Sequence, residues 1–204
     1  MKYFSVVAIA LLVAACGRKE DATPVADAPP PAGDGSSVAT ATDPNTAASA
    51  EAIAGAAVQL SPTQGNTANG GLKLTTTGTG VRISGMVQGL KPNSEFGFHF
   101  HEKGDCSAPD ASSAGGHFNP TSQDHGNPNA QPHHAGDMLN VKSDAQGVAE
   151  VSIDNADVSL QTGQPNDIIG KALVMHAKPD DYKTQPSGDS GERIGCGVVT
   201  IQTN

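Results

Sequence analysis

Tryptophan is absent, and aromatic residues make up only 3% of the 204-residue chain. Any core must therefore be built from aliphatic side chains and the five phenylalanines. Positive charge is also sparse. Twelve Lys and Arg against 21 Asp and Glu leave a net charge of −9. That balance argues against nucleic acid as a partner, because such binding rests on neutralising phosphates. Glycine (24) and proline (14) are abundant by contrast, which suits turns and loops better than long helices.

The N-terminus has the composition of an export signal. Lys2 supplies a positive start, and residues 4–15 form an apolar run too short to span a bilayer. The run ends in Leu12-Val13-Ala14-Ala15-Cys16, which resembles a bacterial lipobox. That resemblance implies a lipoprotein signal peptide over 1–15, with Cys16 as the lipidated first residue of the mature chain. An ordinary secretory signal with a chance cysteine is the alternative. By the same resemblance, Gly17 rather than Asp implies the outer membrane, so the expectation is a periplasm-facing protein held to the membrane by lipid on Cys16. Residues 16–52, rich in Ala, Pro, Asp, Thr and Ser, hold almost no large apolar side chains. They read as a disordered tether, with an Ala-rich helix around residues 47–57 as the competing reading. The folded domain then spans 53–204.

Three cysteines occur. With Cys16 lipidated, Cys106 and Cys196 remain as a pair in an oxidising compartment, where a disulfide is expected. It would close a loop of roughly 90 residues, for which the chain-entropy model assigns about 4–5 kcal/mol. A thiolate metal ligand is the alternative, although the histidine supply makes it unnecessary.

From about residue 56 the texture becomes that of short strands. Val58 and Leu60, Leu72 and Leu74, and Val81, Ile83 and Val87 alternate with polar neighbours. Phe96, Phe98 and Phe100 alternate with Gly97, His99 and His101. Further runs lie at 138–141, 148–153, 172–175 and 198–201. About eight short strands separated by turn residues predict an antiparallel sandwich or barrel. Two long segments, 102–137 and 176–196, interrupt them. Loops of that length in a compact domain are usually functional or pinned down.

The histidines lie in and beside those segments. His99 and His101 share one strand face, with Phe98 and Phe100 on the other. The simplest assignment buries the phenylalanines and leaves both histidines on the outer surface. His117, His125, His134 and Asp137 follow as H-x7-H-x8-H-x2-D, three imidazoles and a carboxylate suited to a closed tetrahedral zinc site. Spacing alone does not choose between His133 and His134. His176 ends a strand. Six histidines and an aspartate exceed the needs of one metal ion and suffice for two.

FHFHEKGDC, GGHFNP, HHAGD, VMHAKPDD and GERIGCGVV resemble, in order and spacing, the motifs of the copper/zinc superoxide dismutases. The likeness runs from about residue 56 to the C-terminus. It implies an all-β, eight-stranded antiparallel Greek-key barrel or sandwich with two long metal-site loops. One copper and one zinc per chain are implied, with His99, His101, His117 and His176 on copper and His117, His125, His134 and Asp137 on zinc. The family pattern H-x-x-D selects His134 over His133. The resemblance further implies a Cys106–Cys196 disulfide, Arg193 beside the open copper position, and Asp180 as the carboxylate joining His99 to His125. The implied reaction converts two superoxide ions and two protons into oxygen and hydrogen peroxide. A copper- and zinc-buffering lipoprotein without turnover is the alternative, disfavoured because all four copper-side histidines and Arg193 are present. Either a monomer or a homodimer fits the family. From Ile53 onward nine Lys and Arg face fifteen Asp and Glu, a net −6, so local charge at Arg193, and at a lysine such as Lys183, must draw in an anionic substrate.

Overall fold

The computed structural model describes residues 55–202. The expected signal peptide, Cys16 and the expected tether therefore lie outside the described residues. Within them run β1 (Ala56–Pro62), β2 (Asn69–Thr76), β3 (Val81–Gln88), β4 (Glu95–Phe96), β5 (Phe98–His101), β6 (Val141–Lys142), β7 (Ala149–Asn155), β8 (Ala172–His176), β9 (Arg193–Val198) and β10 (Thr200–Ile201). Eight of them make one sheet in the order β5-β8-β9-β1-β2-β3-β7, with β10 on β1, and the pairings are antiparallel. The run expected at 198–201 divides between β9 and β10, because the Val199 N–H donates to the Lys171 carbonyl (2.9 Å).

Alternation is what buries the core. Ala56, Val58 and Leu60 of β1 are buried while Gln59 and Ser61 are exposed. In β3, Val81, Ile83 and Val87 point inward and Arg82 and Gln88 outward. Phe98, Phe100, Leu60, Leu74, Ile83, Leu173 and Met175 are among the largest fully buried side chains. This all-aliphatic and phenylalanine core needs no buried indole or phenol group to be hydrogen-bonded.

Of the expected barrel or sandwich, the antiparallel sandwich forms and a closed eight-stranded barrel does not. The sheet stays open, and β4 and β6 make a separate two-residue ladder, Glu95 opposite Lys142 and Phe96 opposite Val141. The reason lies at the free edge of β5, whose hydrogen bonds are taken by the first long loop. The Phe100 N–H donates to the Gly136 carbonyl (3.0 Å), Phe118 to Phe100 (2.8 Å), and Gly136 to Phe118 (2.8 Å). An edge so satisfied offers nothing to a further strand. Gly136 permits this approach, since a Cβ there would lie 2.4 Å from the Phe100 carbonyl oxygen.

Loop coverage also corrects the placement of the strand histidines. β5 and β8 are buried on both faces, so His99 (0% exposed) and His101 (1%) lie beneath the loops and not on an outer surface. On this second face Ala111, Ala114, Ala172, Val174 and Cys196 pack together with Cys106 against them. Cys106 and Cys196 form a disulfide with a Cα–Cα distance of 5.8 Å, which ties the first loop to the centre of β9. Cys106→Ser should cost the chain on the order of 4 kcal/mol, read as a lower denaturant midpoint. A midpoint equal to wild type would show that the loop is held without the bridge.

Candidate metal centre

Four imidazoles meet at the β5–β8 edge. His99 and His101 come from adjacent same-face positions of β5 and His176 from the end of β8. His117, in the first loop, bridges to His101. All four are buried, with one nitrogen of each within 4.8 Å of the others. His117, His125, His134 and Asp137 form a second buried group by the same measure, so His117 belongs to both.

Backbone and carboxylate partners fix the rings. The Nδ1 of His101 donates to the Gly115 carbonyl (3.0 Å) and that of His176 to the Gly191 carbonyl (3.3 Å). With those protons placed, the two Nε2 atoms face each other as lone pairs only 3.3 Å apart. His99 turns Nε2 to Asp180 Oδ2 (2.7 Å) and His117 turns Nδ1 to Asp137 Oδ1 (2.8 Å). This leaves His99 Nδ1 and His117 Nε2 buried without a partner, as are His125 Nδ1 and His134 Nδ1. Such orphaned atoms are costly unless something binds them.

The second group has the dimensions of a tetrahedral site. His117 Nδ1, His125 Nδ1 and His134 Nδ1 lie 2.8, 3.0 and 3.3 Å from Asp137 oxygens. The latter two contacts lack hydrogen-bond alignment. Zinc–ligand bonds of about 2.0–2.1 Å would set neighbouring donors roughly 3.3 Å apart. Three nitrogens and one carboxylate fit zinc, and four nitrogens fit copper. The chain thus holds clusters of the copper/zinc kind.

Charge follows the same division. Burial, then the neighbouring His117 and His176, hold His101 well below the ordinary histidine pKa. Burial, then His99, do the same to His176. Burial and His99 push His117 down to about 4 against the pull of Asp137. These rings stay neutral near pH 7, the form that ligates metal. Burial also opposes the charged form of His125, but the close carboxylates of Asp137 and Asp180 outweigh it and raise the ring to about 9. Burial likewise disfavours the ionised carboxyls of Asp137 and Asp180, yet the histidine rings packed against them hold both well below the usual carboxylate range.

Asp180 joins the two groups, accepting at Oδ2 from His99 (2.7 Å) and at Oδ1 from His125 (3.0 Å). Gly188, with φ +66°, makes room for it, since a Cβ there would lie 1.8 Å from Asp180 Oδ1. Asn140 grips the Asp180 backbone from both sides: its Nδ2 donates to the carbonyl (2.9 Å) and its Oδ1 accepts the N–H (2.8 Å). The sequence reading missed Asn140, because a buttressing amide carries no spacing signal. It missed the Gly115 carbonyl as well, which is invisible in any side-chain pattern. That oxygen accepts from His101 and also from Arg193 Nη2 (2.6 Å), while Arg193 Nη1 donates to the Ala111 carbonyl (2.6 Å). Burial lowers the Arg193 pKa and Asp110 partly offsets this.

The remaining residues separate from the cluster. His133 turns away, with Nδ1 on the Ala130 carbonyl (2.6 Å) and Nε2 on Asp157 (3.0 Å). It serves as a strut of the first loop, and His134 joins the group. Lys183 is exposed and bonds through its backbone N–H to Asp181 (2.8 Å).

An antiparallel β-sandwich whose two metal-ligand clusters share one histidine defines a narrow class of redox metalloprotein. Residues 68–199 match the family described as copper/zinc superoxide dismutase (SODC), and the chain belongs to that family. It is 45% identical over 133 residues to a copper/zinc superoxide dismutase of Aquifex aeolicus (strain VF5), covering 64% of this chain and 78% of that protein. It is 40% identical over 136 residues to an extracellular copper/zinc superoxide dismutase of Haemonchus contortus, covering 64% and 72%. The solved structure of a superoxide dismutase-like protein from Bacillus subtilis aligns at a TM-score of 0.65 and 40% identity, covering 70% of this chain and 96% of that one. The activity of this fold and site is superoxide dismutation.

Asp180→Ala frees a ring nitrogen in each group at once. Metal affinity should fall at both, by roughly 10- to 100-fold, in competition titrations of the metal-free chain with copper and zinc against a chelator. Wild-type affinities at both would exclude Asp180 as the shared anchor.

Proposed function

We propose that this chain is an envelope copper/zinc superoxide dismutase of the bacterial lipoprotein type, carrying one copper and one zinc. The observation that carries the site assignment is His117, whose two ring nitrogens face two separate donor sets. Copper would be held by His99, His101, His117 and His176. Zinc would be held by His117, His125, His134 and Asp137. Copper, when bound, supplies the one-electron couple that the disproportionation of superoxide requires, and zinc, which lacks one, is structural.

The chain's own groups do the rest. Arg193 commits two N–H donors to carbonyls, which leaves the others of its five-donor fork for an anion. A half-buried, fixed guanidinium offsets the repulsion expected from a domain of net charge −6. His117 Nε2, buried and unpartnered while Nδ1 faces Asp137, is the atom that would hold a proton whenever no metal occupies it. The loops covering β5 and β8 keep bulk water off the histidines.

The domain is assigned to residues 53–204, behind a signal peptide over 1–15 and a tether over 16–52. Cys16 carries the lipid and Gly17 favours the outer membrane. This reading rests on the Leu12–Cys16 motif. A place outside the cytoplasm is supported by the likeness to an extracellular enzyme. A homodimer is compatible with the family.

The purified chain should dismutate superoxide while holding copper and zinc in equal amounts. Arg193→Ala should retain both metals, react on the order of tenfold more slowly at low salt, and bind inhibitory anions more weakly. Both metals without turnover in the wild-type chain would support a buffering lipoprotein. An unchanged rate in Arg193→Ala would remove the arginine from the substrate path.

A further inference from the structure

His125 sits in the irregular first loop, where no strand partner satisfies its backbone. A side chain sixty positions further on does so instead. The His125 N–H donates to Gln185 Oε1 (3.0 Å), and Gln185 Nε2 donates to the His125 carbonyl (2.8 Å). One amide therefore pairs with both backbone groups of this residue, as a neighbouring strand would. From the geometry we infer that Gln185 is a positioning residue for zinc, clamping the His125 main chain so that its Nδ1 keeps its aim. The inference rests on the assignment of His125 to zinc.

Three features separate this clamp from ordinary loop packing. Gln185 is exposed, so its amide is not there to satisfy a buried core. It also stands five residues after Asp180, which fixes the His125 ring at Nε2 (3.0 Å). The second loop thus holds His125 at two points, one on the ring and one on the main chain. Finally, the first loop meets His125 from the other side, because the next residue, Gly126, donates its N–H to Asp137 Oδ2 (3.2 Å). With ring, main chain and following residue all fixed, the one unpartnered atom of the imidazole, Nδ1, is left a single direction. Pre-orienting a ligand in this way lowers the entropy lost on metal binding.

The chemistry restricts what can replace Gln185. A donor and an acceptor are needed at the end of a three-carbon arm. Gln185→Ala removes both. Gln185→Glu keeps an acceptor for the His125 N–H but sets a carboxylate oxygen against the His125 carbonyl.

The test uses the full chain loaded with copper and zinc. Release of each metal to excess chelator is followed in wild type, Gln185→Ala and Gln185→Glu, beside the visible spectrum of the chain carrying cobalt in place of zinc. Both variants should release zinc roughly tenfold faster and shift the cobalt bands. Copper release and the melting temperature of the metal-free chain should stay at wild-type values. Wild-type zinc release with an unshifted cobalt spectrum would overturn the inference. So would equal acceleration for both metals with a lower metal-free melting temperature, which would make Gln185 a general loop contact. A wild-type chain that takes up no zinc would overturn the zinc assignment and the clamp together, whereas normal uptake with unchanged release from the variants overturns the clamp alone.

Discussion

Two imidazole nitrogens, each with its ring proton already donated to a carbonyl, face each other across 3.3 Å inside the molecule. Four more histidine nitrogens are buried near them without any partner. Lone pairs so placed repel, and burial removes the water that would relieve them. Cations resolve the conflict, and the surrounding architecture can be understood as what keeps the conflict in place until they bind. Neutral rings at His101 and His176, and ionised carboxylates at Asp137 and Asp180, leave the two groups suited to divalent ions.

Keeping seven polar side chains buried and aimed is costly, and the fold distributes that task. β5 and β8 supply rigid positions for three histidines. The first loop adds the others only because it is fastened at several points: to the β5 edge through Phe118 and Gly136, to β9 through the Cys106–Cys196 bridge, and to Asp157 through His133. The second loop crosses both groups with Asp180 and leads into β9 at Arg193. A single oxygen, that of Gly115, fixes a copper-side ring and the arginine at once. The guanidinium of Arg193 and the ring of His101 are therefore coupled through one peptide.

Much of this was legible in the sequence. Period-two alternation located β1, β2 and β3, because strands with one solvated face expose their pattern. The H-x7-H-x8-H-x2-D series picked out the four residues that meet in the second buried group, since ligand chemistry restricts residue types strongly. What alternation could not show was that β5 is covered on both faces. A loop that folds back over a strand leaves no mark on that strand's own sequence, and so His99 and His101 read as surface residues. Barrel closure was overestimated for the same reason, since the edge of β5 is capped by loop backbone. Asn140 and Gln185 act through amide–backbone pairs across 40 and 60 residues, and contacts of that kind arise only once the chain is folded.

The central claim is that one imidazole separates two chemically distinct metal positions. Anomalous diffraction from crystals of the loaded chain, recorded at the copper and zinc absorption edges, addresses it directly. The account predicts two peaks on opposite sides of the His117 ring. The copper-edge peak should lie among His99, His101 and His176, and the zinc-edge peak among His125, His134 and Asp137. A single shared peak, or a metal bound away from His117, would contradict it.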